Sequence, residues 1–414
     1  MTRCGGSAPG IEASARPRYI PDMEQTDILI AGGGIAGLSA AARLGSEGLS
    51  VTLVDPSPLT QSGATDLRTT AFLQPAIETL TKAGAWEAMQ AHGAELRVMR
   101  IVDAGGVERT PRETVDFNGT ETGSGVFGWN IPNATARAAL LATLGDMPNV
   151  RLIPNASVTG YVPRLDHAIL RTDRGDVFCA RLAVAADGRD SRMRRLAGIR
   201  HRRWEYGQQA LVFAVTHRAP HNGVSTEIHR TGGPLTLVPM PDHGGRPCSS
   251  VVWMMPGARA AERVALDDAA LAAELTAETM GLFGPLTIAS KRASWPIISQ
   301  AALNLCAERL VLIAEAAHVM PPIGAQGLNT SLHDIETLAD LLSGAPDPGA
   351  EDLLRRFERQ ILPRTLARIA GIDFLNRAAI AEPQQLRDLR RAGLKAIASI
   401  PPLRNFAIRA GMGG

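Results

Sequence analysis

Six residues near the start of the chain, Gly32-Gly33-Gly34-Ile35-Ala36-Gly37, restrict the fold more than any other feature of the sequence. They follow the apolar run Asp27-Ile-Leu-Ile-Ala31 and open a stretch of small residues, Ala36 to Leu44, that reads as a helix. A short apolar run stopped by glycines is the pattern of a strand buried in a parallel sheet. Gly32 allows the tight turn, Gly34 lets backbone approach a pyrophosphate, and Gly37 lets helix and strand pack closely. The helix start at Ile35 and Ala36 then offers free N–H groups and a partial positive charge to phosphate. A second strand, Val51-Thr-Leu-Val54, ends at Asp55, where a carboxylate can accept hydrogen bonds from an adenosine ribose. The unit binds a dinucleotide. By itself it admits NAD and FAD alike.

The composition removes several other classes. A length of 414 residues allows two domains, or one large domain with an inserted lobe. Hydrophobic residues at 45% and charged residues at 20% are ordinary for a soluble globular chain. A net charge of +2 without a dense basic stripe excludes a dedicated nucleic-acid binder. Cys4, Cys179, Cys248 and Cys306 form no CxxC pair, so neither a disulfide framework nor a zinc site is expected, and a reducing compartment is the default. No uninterrupted apolar window is long enough for a transmembrane helix. The first 22 residues lack periodicity and a signal peptide's apolar stretch, which predicts a disordered extension with Met23 as a candidate start.

Along the chain, Ile77, Leu80, Ala83 and Trp86 predict a helix near residues 75–92, and residues 95–125 read as strands and loops. Asn133 is expected to cap a helix running from Ala136 to Leu144. Leu182-Ala-Val-Ala-Ala186 is a further buried strand, residues 205–255 alternate as in an antiparallel sheet, and Arg309 to Ala314 restores the buried-strand pattern. Gly327 to Leu342 reads as a helix with Leu328, Leu332, Ile335, Leu338 and Leu342 on one face. The final sixty-odd residues read as helices, bent at Pro363 and ending in a basic, apolar segment, Arg387 to Arg409. Trp129, Tyr206 and Trp253 are expected to serve packing first and a pocket second. For His318 a backbone-satisfied role outweighs a catalytic one, and no catalytic side chain is assigned.

Two more segments carry chemistry. Asp187-Gly188-Arg189-Asp190-Ser191 follows a buried strand; alone it is most simply a turn. Glu315-Ala-Ala-His318 leads into Pro321-Pro322-Ile-Gly324-Ala-Gln326-Gly327-Leu-Asn329, a restricted loop that opens a helix. A helix start there stabilises negative charge by about 0.3–2 kcal/mol.

With the glycine turn, and in this order, these segments resemble the flavoprotein aromatic hydroxylases, and among them the ubiquinone-biosynthesis hydroxylase family. The resemblance runs from about residue 25 to the C-terminus. It includes Asp66-Leu-Arg68-Thr-Thr-Ala71, Ala83-Gly-Ala-Trp86 and Pro401-Pro402-Leu403, and its most specific part is the Pro321–Asn329 loop. It implies an α/β fold: a Rossmann-type FAD-binding domain (23–100, 127–200, 305–345), an inserted antiparallel-sheet substrate domain (101–126, 201–304) and C-terminal helices (346–414). It implies FAD, reduced by visiting NADPH or NADH, and hydroxylation of a polyprenylated phenol with O₂ through a flavin C4a-hydroperoxide. Arg68 would lie near the flavin, and Asp187 and Gly188 near the pyrophosphate and the nicotinamide cofactor. Pro322, Gly324, Gln326, Gly327, Leu328 and Asn329 would run along the isoalloxazine ring. Arg137 is a candidate phosphate partner or a surface helical arginine.

One departure stands out: the family's Gly-Asp before Ala-Ala-His is here Ala314-Glu315. Glu315 keeps an acceptor for the flavin's ribityl chain but adds a methylene. A hydroxylase of small soluble phenols, and a scaffold subunit of a biosynthetic complex, remain alternatives. The implied setting is the cytoplasm, with peripheral contact to the inner membrane and to other quinone-biosynthesis proteins. The C-terminal arginines suit that contact and suit a solvated helix face equally.

Overall fold

The computed structural model describes residues 23–60, 68–105, 110–230, 232–381 and 383–412. The N-terminal extension, and Asp66 with Leu67, lie outside them. Five parallel strands form the first sheet's spine, in the order Leu310–Leu312, Val177–Ala185, Glu24–Ala31, Val51–Asp55 and Val150–Pro154. Ile28, Leu29 and Ile30 in its centre are fully buried, as an uninterrupted apolar strand requires. Neighbours in this sheet come from distant parts of the sequence, so the chain leaves it and returns. Helix Ile35–Ser46 packs on helices Asn133–Gly145 and Gln326–Leu342.

The excursions build a second sheet of nine strands, antiparallel except where Val224–His229 runs parallel to Val98–Asp103. Its long strands are His201–Thr216, Arg246–Pro256, Pro234–His243 and Ala293–Ala302. His318–Val319 pairs with Ala301 and Gln300 at one edge. The loop after the first sheet's last parallel strand is therefore hydrogen-bonded to the second sheet. A smaller sheet, Thr69–Leu73, Gly128–Pro132 and Ala94–Leu96, lies beside them.

Two local expectations are corrected. The helix near 75–92 is two helices, Gln74–Lys82 and Trp86–Gln90, because Gly84 takes φ +73° between them. Asn133 is the first helical residue, not the cap: Pro132 holds the cap position, and the Asn133 side chain accepts from Thr70 Oγ1 at 2.8 Å. On helix Gln326–Leu342, four of the five expected apolar positions are buried and Leu328 is partly so. Helix Glu351–Ile380 carries Pro363 in its interior, and Gln384–Ser399 and Pro401–Met412 follow. These last helices are tied to the body by Arg390 on Asp103 and Arg404 on Glu121. Among the described residues no helix is long and apolar enough to cross a membrane.

Candidate active site

The glycine turn stands where the parallel strands end. Gly32 has φ +109°, and a Cβ there would lie 2.3 Å from the Ala186 carbonyl oxygen. A Cβ on Gly37 would lie 1.9 Å from the Gly32 oxygen, so this glycine is required by the closeness of helix and turn. Gly34 differs: no atom lies within 4 Å of its would-be Cβ, and the turn is open on that side. No side chain caps helix Ile35–Ser46 and no acid stands in its first turn. Its first N–H groups, on Ile35 and Ala36, therefore have no partner within the helix. An open backbone face beside an uncapped helix start fits a pyrophosphate.

Asp55 holds this turn from the second strand. One carboxylate oxygen accepts from the Gly33 N–H and the other from the Ser57 N–H. Arg137 is no free surface arginine, since its guanidinium donates to the carbonyls of Gly33 and Pro58. Both residues meet at the turn, and each spends hydrogen bonds on backbone.

Asp187 is used similarly. It accepts from the Ser191 hydroxyl and from the N–H groups of Arg192 (2.7 Å) and Met193 (3.0 Å), capping the short helix Arg192–Leu196. Gly188, at φ +81°, completes the bend. Because Gly32 abuts Ala186 and Asp187, this turn and the glycine turn are neighbours.

The third segment begins with backbone strain. Ala314 is buried at φ +54°, in the left-handed region where a non-glycine residue costs about 1–2 kcal/mol. The strain at this position is one of backbone conformation. Ala314→Gly is predicted to raise stability by about 1 kcal/mol, read as a higher urea midpoint at an unchanged slope. Glu315 follows, half-exposed, and accepts from Arg189 Nε at a long 3.4 Å. His318 Nε2 meets Asp334 at 2.8 Å, both buried, so this histidine has a side-chain partner.

The loop itself is stapled. Asn329 Nδ2 donates to the carbonyls of Ala71 and Ala325, both at 2.7 Å, and its Oδ1 accepts from Leu73 N–H at 2.8 Å. Gln326 Nε2 donates to Gly324 O (2.9 Å) while Arg368 holds its Oε1 (3.0 Å). Gly324 and Ala325 both take positive φ, and a Cβ on Gly327 would meet nothing within 4 Å. The staple joins the loop to strand Thr69–Leu73, beside Arg68.

Between the loop and the second sheet lies a cavity of about 210 Å³. Val212, Val252 and Ile297 wall it from the sheet, and Met320 and Pro322 from the loop. Arg68, Arg189 and Glu315 are its charged lining residues, with the Arg68 guanidinium 5.0 Å over the Trp295 ring. Arg189 and Trp295 were not singled out from sequence. The signal for Arg189 was its place directly after Asp187-Gly188. Trp253 instead packs in the sheet's core, and Tyr206 bonds Asp373 at 2.6 Å and Ser299 at 2.8 Å. No group of side chains suited to a metal ion is found among the described residues.

A parallel sheet ending in a glycine turn, a stapled loop facing an apolar cavity and a second, antiparallel sheet define a flavin-binding fold. Residues 25–369 match the family described as FAD binding domain. The chain is 32% identical over 394 residues to ubiquinone hydroxylase UbiL of Rhodospirillum rubrum, covering 94% of this chain and 89% of that one. It is 26% identical over 399 residues to 3-demethoxyubiquinol 3-hydroxylase of Escherichia coli, covering 94% and 99%. The chain belongs to this FAD-binding family and is an FAD-dependent aromatic-ring monooxygenase. The fold is also that of p-nitrophenol 4-monooxygenase PnpA from Pseudomonas putida, with a TM-score of 0.77 at 16% identity, covering 95% of this chain and 99% of that one.

Proposed function

We propose that the enzyme hydroxylates the ring of a polyprenylated phenol on the route to ubiquinone, using NADPH or NADH as a visiting reductant. The similarity to a ubiquinone hydroxylase, 32% identical over 94% of this chain, carries this reading. In it, Gly32, Gly34, Ile35, Ala36 and Gly37 receive the pyrophosphate, with Asp55 and Arg137 shaping the turn beside the adenosine half. Asp187 and Gly188 close the same edge. Arg68, Glu315, Pro322, Gly324, Gln326, Gly327, Leu328 and Asn329 bound the ribityl chain and ring. FAD, when bound, supplies hydride acceptance and oxygen activation.

The chain's own residues bind, orient and exclude water. Asn329 and Gln326 fix the loop before substrate arrives. Val212, Val252, Ile297 and Met320 keep the cavity apolar. At about 210 Å³ the cavity takes a ring, and a long prenyl tail extends beyond it.

That tail is held in lipid, and the C-terminal helices offer a surface for it. Phe374, Leu389 and Phe406 are 71%, 68% and 72% exposed, and Leu386 and Leu403 are exposed beside them. Arg391, Lys395 and Arg409 are exposed on residues 384–412, whereas Arg390 and Arg404 are spent on Asp103 and Glu121. Apolar side chains beside these exposed positive charges fit the anionic face of the inner membrane. The full chain is expected to float with anionic vesicles, and the double variant Leu389→Asp, Phe406→Asp to stay behind. Equal flotation of both would remove this surface from the account.

The function is tested by metabolite profiling of a deletion strain. A prenylphenol intermediate should accumulate while ubiquinone falls. Normal quinone with no intermediate would overturn the reading.

A further inference from the structure

The face of the second sheet that walls the cavity is covered in two separate places. Ala210, Val212 and Met254 pack there with Met320 and Ile323 of the loop. Farther across the same face, Val115 and Phe117 pack with Ile408 of helix Pro401–Met412. Strand register joins the two places. Ser250, which lines the cavity, pairs with Val238, while Met99 pairs with Ser225 and with Phe117. Thr226 pairs with Leu237, so Ser225 and Val238 are neighbours as well. Register partners in adjacent strands share a face, so one row runs from Ser250 through Val238, Ser225 and Met99 to Phe117. Four strand spacings make it roughly 19 Å long.

The row contains no charged side chain. Glu227 stands in the next row, beside Thr236, and is paired with His229 at 2.7 Å. Val238 and Ser225 are half-buried, and Val238 joins none of the apolar clusters. An uncharged strip thus continues the cavity wall and ends at a helix that carries exposed Leu403 and Phe406. At that end the Arg404 guanidinium stands 4.8 Å over the Phe117 ring.

We propose that this row is the track of the substrate's isoprenoid tail, and that Val238 sets how well a long tail is held. This rests on the prenylphenol reading. The ring occupies the cavity of about 210 Å³, and the tail leaves it past Ser250. Each further isoprene unit covers more of the strip, and binding tightens with the apolar area removed from water.

The test is titration of the FAD-loaded full chain with ortho-farnesylphenol and ortho-dimethylallylphenol, followed by the change in flavin absorbance. Wild type should hold the farnesyl compound about tenfold more tightly. Val238→Trp, which fills the strip, and Val238→Asp, which charges it, should each remove that preference. Both should keep wild-type FAD occupancy and wild-type affinity for the short-tailed phenol. The track is overturned if the variants keep the farnesyl preference, or if they lose both phenols equally. Wild type that binds neither phenol would sink the prenylphenol reading and the track together. A wild-type preference that survives both substitutions sinks the track alone.

Discussion

Replacing Gly37 by alanine is expected to give a protein that is poorly folded and leaves purification without FAD. The added Cβ would lie 1.9 Å from the Gly32 carbonyl oxygen and 3.0 Å from its carbon, both backbone atoms. No rotamer change relieves that collision, so helix Ile35–Ser46 must move off the turn that Gly32 forms. Overpacking costs about 1–3 kcal/mol, and a collision with backbone on this scale belongs at the upper end of that range. Gly34→Ala is the control. Its φ is −68° and no atom lies within 4 Å of the new methyl, so thermal stability without cofactor should hardly change. Its flavin affinity should still fall, because the open side of Gly34 is where the pyrophosphate is proposed to lie. Spectroscopic FAD occupancy and a melting curve for both variants separate the two effects. Normal FAD binding by Gly37→Ala would mean that the turn is not the cofactor's cradle.

Asp103→Ala carries the second large effect, far from the glycine turn. Asp103 is 1% exposed and accepts from Arg112 (2.8 Å), Arg390 (3.0 Å) and the Gly105 N–H (3.2 Å). Arg112 directly precedes strand Glu113–Asn118 of the second sheet and also holds Asp388, while Arg390 belongs to helix Gln384–Ser399. Removing the carboxylate leaves two largely buried guanidiniums facing each other. The loss of one partner from such a group costs about 3–5 kcal/mol. Helix Gln384–Ser399 has no fully buried side chain, and Leu394, Ile397 and Ala398 pack only partly buried against Val115, Phe117 and Ile408. Asp103→Ala should therefore expose the C-terminal helices to protease and lower the urea midpoint. A variant with wild-type protease resistance would show that the helices are held by other contacts.

What was legible in the sequence was mostly local. The glycine turn, its two strands and the Pro321–Asn329 loop each combine a fixed order of residues with a backbone requirement, and all appear where the pattern puts them. The antiparallel sheet was legible because strand alternation has its own period. Less visible were the tasks of polar side chains, which depend on partners distant in the chain. Asp55 spends its carboxylate on Gly33 and Ser57, Asp187 caps a helix, and Arg137 reaches back to Gly33. Asn133 looked like a cap because helix propensity is local, while its actual partner is Thr70 across a strand pair. Arg189 and Trp295 were hidden for the same reason: they share a cavity only after the loop and the sheet edge meet. The Ala314-Glu315 departure was visible, and the positive φ of Ala314 gives it a physical cost.

The most direct test of the central claim is a single turnover series on the purified full chain with NADPH or NADH, isotopically labelled O₂ and a prenylated phenol. The account predicts a yellow protein holding one FAD per chain and a product with one labelled oxygen on its ring. A colourless protein, or one that consumes reductant without placing labelled oxygen on the ring, would contradict it.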